Sequence, residues 1–276
     1  MPDAESHNHA ADPGATDDLS TGQAVDHGPL SVENRRQSFG AVASDYDRYR
    51  PGYPSAFLER LLVGSGIGPG STVLDLGAGT GQLTRALIGL GYEVIAVEPD
   101  DRMRAVLEAR HPAARALAGS AEDIPLADST VDAVVGGQMW HWVDPGRAVP
   151  ELERVMSSGG RLNVLWSMRD DRVPWIRRLS EQVVLPDPYR LFDDAVVPEF
   201  GDPFGPMSRD EFEFTHDLAP DDFLAGLGTL STVTLAPDRD EQLARAAAMV
   251  ESDPDLAHLD LIRVPYVCKS FSASRC

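Results

Sequence analysis

Lysine is almost missing from this chain. Of its 24 basic residues only Lys269 is a lysine, and 44 acidic residues leave a formal net charge of −20. A face that gathers phosphates needs clustered Lys or Arg, so this balance argues against nucleic acid as a partner. Cysteine is as scarce. Cys268 and Cys276 form no C-x-x-C pair and have no metal-ligand spacing, so both are expected to be free thiols without a catalytic role. His7, His9 and His27 are irregularly spaced and do not make a metal tract. No apolar run approaches the ~18 residues that a membrane helix needs. No basic stretch followed by an apolar one marks a secretory signal at the N-terminus. The expectation is a cytoplasmic protein that uses no membrane and no metal, and oligomeric state leaves no mark in the sequence.

What is present is enough for a core: 276 residues, 42% of them apolar. Residues 1–34 are polar, with apolar residues scattered singly, and read as a disordered tail. Residues 35–70 read as a helical cover. Phe39, Val42, Ala43 and Tyr46 recur at helical spacing, and an aromatic and arginine-rich turn runs from Arg48 to Pro54. A second helix then carries Phe57, Leu58, Leu61 and Leu62 on one face. Residues 71–166 alternate between strand and helix. Strands are expected at 73–76, 94–97, 116–118, 131–136 and 161–166, with helices at 81–90, 103–109 and 148–156. This alternation predicts an α/β fold: a doubly wound, mostly parallel, Rossmann-like sheet of seven strands. Residues 167–276 read as a substrate lid plus the strands that complete the sheet. Helices are expected at 174–184, 221–227 and 240–250, strands at 211–218 and 262–271, and an irregular stretch at 186–209.

The chain is organised around Val73-Leu-Asp-Leu-Gly-Ala-Gly-Thr-Gly81. A buried strand runs into three glycines and then a helix. Backbone can approach a ligand there, and the helix start offers unpaired N–H groups. The dinucleotide fingerprint G-x-G-x-x-G would need glycine at position 82, which is Gln82, and a start at Gly79 would need it at Thr84. Asp75, buried at a strand end, needs hydrogen-bond donors from a ligand or a loop. Glu98 ends the second strand, where a carboxylate can accept from both hydroxyls of a ribose; its plainer reading is an exposed acid beside a helix start.

Residues 39–165 resemble the class I S-adenosylmethionine-dependent methyltransferases, in particular the methyltransferase type 11 group. The resemblance rests on Val73–Gly81, Glu98, Gly119-Ser-Ala-Glu-Asp-Ile-Pro125, Val131-Asp-Ala-Val-Val135, Gln138-Met-Trp-His-Trp142 and Ser158-Gly-Gly160. Phe39 to Pro54 and the His141-Trp142 pair are similar to a trans-aconitate methyltransferase-like branch. The implied cofactor is S-adenosyl-L-methionine. It would be held by Tyr46 and Arg50 from the lead-in segment and by Asp75, Gly77, Ala78, Gly79 and Gln82 of the loop. Glu98 and Pro99 would take the ribose, and Ser120, Ala121, Glu122 and Gln138 would complete the site. The family's usual aspartate is Ser120 here, which weakens the expected adenine contact and leaves more of it to Ala121 and Glu122.

Transfer from a sulfonium is an in-line displacement with a neutral leaving group, so orientation supplies most of the acceleration. His141 is the candidate base, with a cofactor or substrate contact and a structural role as its other readings. Trp140 and Trp142 are candidate acceptor contacts or packing walls. Arg169 is a candidate for an anionic acceptor, with a salt bridge to Asp170 or Asp171 as the rival. The reaction class expected is methyl transfer to a small-molecule acceptor. Two alternatives stand beside it: a cofactor-binding protein without transfer, and a nicotinamide-dependent dehydrogenase, disfavoured by Gln82 and by the lack of a Tyr-x-x-x-Lys pair.

Overall fold

The computed structural model describes residues 49–183 and 198–276. The tail, the expected helix around Phe39–Tyr46, Tyr46 itself, the last position (184) of the helix expected at 174–184 and positions 186–197 of the irregular stretch lie outside the described residues.

Helix α1 (Ser55–Val63) precedes strand β1 (Thr72–Leu76), then α2 (Gln82–Gly89), β2 (Glu93–Val97), α3 (Asp101–Arg110), β3 (Arg115–Leu117) and β4 (Val131–Gly137). A short 3-10 turn (Trp140–Trp142), α4 (Pro145–Val155) and β5 (Met156–Arg169) follow. The last part holds α5 (Pro174–Gln182), β6 (Ser208–Leu218), α6 (Pro220–Gly228), α7 (Ser231–Thr234), α8 (Arg239–Ser252) and β7 (Ile262–Ser274). The seven strands make one sheet in the order β3-β2-β1-β4-β5-β7-β6. The first five run parallel, and β7 runs antiparallel between β5 and β6. The expected doubly wound, mostly parallel sheet is observed.

Side chains alternate across the strands, so the sheet has a core on each face. Leu74, Leu76, Val134, Leu162, Val164 and Trp166 pack on one side with Leu152 and Val155 of α4. Val73, Ala133, Val135, Leu165 and Cys268 pack on the other with α1 and α2. Period two therefore turns Asp75 toward α2. Burial pushes the Cys268 thiol up from its usual range, which leaves it an inert core residue.

Several boundaries differ from the sequence reading; strand β6, for one, starts at Ser208, inside the stretch expected to be irregular. Two others have a clear local reason. Helix α4 begins at Pro145 rather than position 148, because Asp144 caps it through Gly146 N–H (3.0 Å) and Pro145 fits the first turn. Strand β5 extends to Arg169, because Arg161 to Arg169 pair without a break against Ser274 to Tyr266 of β7. On its other edge the register slips between Val131↔Met156 and Ala133↔Arg161. The Ser158-Gly-Gly160 stretch is that irregularity, with Gly159 at φ 77°.

A third cluster joins α5, α6 and α8 through Trp175, Ile176, Leu179, Phe223, Leu227 and Val250. It also includes Ile262 and Val264, at the start of β7, beside the C-terminal ends of β5 and β6. Those ends lie on the same edge of the sheet as the C-terminal ends of β1 and β4. The helical cluster and the glycine loop thus share one edge, where open α/β sheets bind ligands.

Candidate functional site

The turn after β1 is held from below by β2. Gly77 and Ala78 donate to the Val97 carbonyl at 2.9 and 3.1 Å. Gly77, Gly79 and Gly81 have φ of 68°, 59° and 96°, a region that favours glycine. Their surroundings differ. A Cβ on Gly77 would meet Met139 Cβ at 2.9 Å, and one on Gly81 would meet His111 Cδ2 at 2.5 Å. A Cβ on Gly79 would meet nothing nearer than Met103 Cε at 3.9 Å. The outer two glycines pack against protein, and around the middle one the described residues leave room for a Cβ.

Glu98 ties the two strand ends together. Its Oε2 accepts from Gly79 N–H at 2.8 Å, and its Oε1 accepts from Asp100 N–H at 2.9 Å. The side chain is buried, not an exposed helix-start acid, and burial raises its pKa against the pull of these two backbone donors. A carboxylate has about four lone-pair sites. Two are used, so a pair of vicinal hydroxyls can still be accepted. The neighbouring Asp100 does the capping, taking Arg102 and Met103 N–H at 2.8 and 3.1 Å to start α3. Pro99 between them is exposed.

Asp75 is 1% exposed. Thr84 Oγ1 donates to its Oδ2 at 2.5 Å, and Oδ1 has no partner. Desolvation outweighs the Thr84 hydrogen bonds and pushes the carboxyl up to about 7. An aspartate raised in this way holds its proton more tightly folded than unfolded. Its contribution is complete below the unfolded value of about 3.9 and is lost as pH rises to about 7, a change on the order of 4 kcal/mol. Asp75→Asn removes the titration. Urea unfolding of the two proteins across this range should diverge in favour of the asparagine variant as pH rises; parallel curves would contradict the assignment.

The segment before α1 lies over this loop. A Cβ on Gly52 would approach Arg85 Nη2 at 3.0 Å and Gln82 Oε1 at 3.6 Å, and those two side chains bond each other at 3.1 Å. The Tyr53 hydroxyl occupies the space where a side chain on Gly137 would project. Arg50 is half-buried in the same segment. The predicted adenine stretch is a tight turn in which Ser120 and Asp123 pair, Ala121 is buried, and Ser120 Oγ accepts from Glu122 N–H at 3.3 Å. Glu122 Oε1 accepts from Asp144 N–H at 3.0 Å, which ties this turn to the start of α4.

Beyond β4, Gln138 adopts φ 58°, unusual for a side chain of its size. Its N–H donates to the Leu165 carbonyl at 2.8 Å, and its Nε2 donates to the Ser167 carbonyl. Trp140 is 5% exposed and packs edge-on against Phe200 at 5.4 Å. Trp142 is half-buried, and His141 is exposed beside it, with ring centroids 4.6 Å apart. Arg169 lies at the end of β5, 9% exposed, 5.8 Å over the Tyr266 ring. It does not pair with Asp170, which bonds Arg172 at 2.8 Å. Sequence reasoning missed Thr84, whose only signal is its position in the first turn of α2. It also missed Ser167 and His216, which lie on strands beside Arg169 and Phe214. Among the described residues no group of three His, Cys, Asp or Glu side chains converges as metal ligands would.

A Rossmann-like sheet with an antiparallel β7 inserted beside β6, and a glycine turn joined to an acid at the next strand end, define a class I methyltransferase. The methyltransferase domain family matches residues 74–164. An uncharacterized methyltransferase of Mycobacterium tuberculosis is 41% identical over 233 residues, 83% of this chain and 92% of that protein. An uncharacterized methyltransferase-like protein of Schizosaccharomyces pombe is 30% identical over 87% of this chain and 96% of its own. The fold is shared with a solved structure from Anaeromyxobacter dehalogenans assigned as a type II methyltransferase (TM-score 0.61, 24% identity, 82% of this chain and 97% of that one). This chain belongs to the class I S-adenosylmethionine-dependent methyltransferases, type 11 group.

Proposed function

We propose that this enzyme moves a methyl group from S-adenosylmethionine to a small-molecule acceptor by in-line displacement, without a metal. The observation that carries the reading is the Gly79–Glu98 tie: the loop glycine around which the described residues leave room for a Cβ has its N–H bound by the acid placed to receive a ribose. The unpartnered Oδ1 of Asp75 below the same turn fits a site completed by a ligand. The cofactor would supply an activated methyl on a neutral leaving group.

The chain's part is to hold and orient. Gly77, Ala78 and Gly79 give backbone approach, Glu98 accepts hydroxyls, and Ala121 with Glu122 borders the base. Tyr46 and Arg50, with Gly52 over Gln82, close the site from above. Residues 35–70 act as this cover, and residues 167–276 supply the acceptor lid together with the strands that finish the sheet. His141, exposed at the exit of β4, takes the proton of an acceptor that carries one. Trp142 and Arg169 border the acceptor. A net charge of −20 suits an acceptor other than nucleic acid.

Glu98→Ala tests the reading. Loss of a charged hydrogen-bond acceptor should weaken S-adenosylhomocysteine about 10- to 100-fold by calorimetry. Unchanged affinity would remove Glu98 from the site and the reading with it.

A further inference from the structure

Arg169 is a buried cation without an anion. Its Nε has no partner, and among the described residues its side chain makes no ion pair. The carboxylates along these strands are engaged elsewhere. Asp170 and Glu213 bond Arg172 at 2.8 and 2.6 Å, Asp217 bonds Arg263 at 3.2 Å, and Glu211 bonds Lys269 at 3.2 Å. A guanidinium withdrawn from water is costly unless it is paired.

Its neighbours share the pattern. Ser167, two residues earlier on β5, projects from the same face, and its buried hydroxyl has no partner. Across β7, His216 has one ring nitrogen engaged by the Tyr49 backbone, and its Nε2 has none. Desolvation lowers the His216 pKa, opposed by Asp217 and the Tyr49 bond and aided by the charge of Arg169. A neutral imidazole does not compensate Arg169. The Ser167 carbonyl accepts from Gln138, so this group is joined to the exit of β4 and to the cofactor end of the sheet. Two buried side chains, Ser167 and Arg169, and the half-buried His216 thus leave atoms unsatisfied on the edge shared with the glycine loop.

We infer that Arg169, with the Ser167 hydroxyl beside it, holds a carboxylate of the methyl acceptor. This rests on the proposed transfer reaction and names the class of molecule it uses. The planar fork of a guanidinium matches a carboxylate. A monoanion balances one guanidinium, whereas the dianion of a phosphate monoester would bring charge in excess. The carboxylate anchors the acceptor and leaves the rest of the molecule to the lid.

The test uses the full chain saturated with S-adenosylhomocysteine. Butyrate, hexanoate, benzoate and phenylacetate are titrated, each beside its primary amide, together with phenyl phosphate. At least one carboxylate should bind and its amide should not. Arg169→Gln should weaken that carboxylate about 10- to 100-fold while S-adenosylhomocysteine affinity stays unchanged. Arg169→Lys, which keeps the charge and loses the fork, should fall between them. Equal binding of acid and amide, preference for phenyl phosphate, no carboxylate bound, or an Arg169→Gln variant that matches the wild type would each overturn the inference. Failure of S-adenosylhomocysteine to bind the wild type would instead sink the underlying reading, and that control is read first.

Discussion

Gly79→Arg should abolish S-adenosylhomocysteine binding and leave the chain folded. At φ 59° a non-glycine residue costs about 1–2 kcal/mol. The space around this position takes a Cβ without collision, since Met103 Cε is 3.9 Å away. The rest of the arginine must then enter the open side of the turn, and its guanidinium has Glu98 beside it as a partner. One substitution would both fill the site and neutralise the ribose acid. Calorimetry should show no heat of binding, while thermal unfolding remains cooperative and only slightly shifted. Affinity within a few-fold of wild type would contradict the placement. The outer glycines are poor substitutes for this experiment, because Met139 and His111 already stand at 2.9 and 2.5 Å from their Cβ positions. Changes there disturb packing as well as binding.

Trp140→Ala should cost about 3–5 kcal/mol of folding stability, the magnitude for emptying a large aromatic from a core. Trp140 is 5% exposed and meets the Phe200 ring at 84°, within the cluster that includes Val134, Leu152 and Trp166. Urea unfolding would measure the loss. A change under about 1 kcal/mol accompanied by lost turnover would return Trp140 to the acceptor platform that its sequence neighbourhood also suggests.

Much of the fold was legible because its signals are local. The apolar run from Val73 and the three glycines each specify a turn or an element within a few residues. The alternation that follows fixes a parallel sheet with helices on both faces. Tertiary pairing was not legible. Nothing in the Met156–Arg169 segment states that β7 will hold it to its last residue, and the expected strand therefore stopped at Trp166. At the site, the sequence identified Asp75 as a carboxyl in need of donors. It had no means of showing that Thr84 supplies them and still leaves Oδ1 without one, since that pair forms when α2 packs on β1. The same holds at Arg169. Proximity in sequence made Asp170 its natural partner, and the fold gives Asp170 to Arg172. His216 carried no motif, and only the β6–β7 pairing brings it beside this group.

The direct measurement is calorimetric titration of the wild-type chain with S-adenosylhomocysteine and, separately, with NAD. A site built from an open Gly79, the Glu98 carboxylate and Gln82 in place of a third fingerprint glycine predicts saturable binding of S-adenosylhomocysteine, one per chain, and no binding of NAD. Binding of NAD, or no heat from S-adenosylhomocysteine, would contradict it.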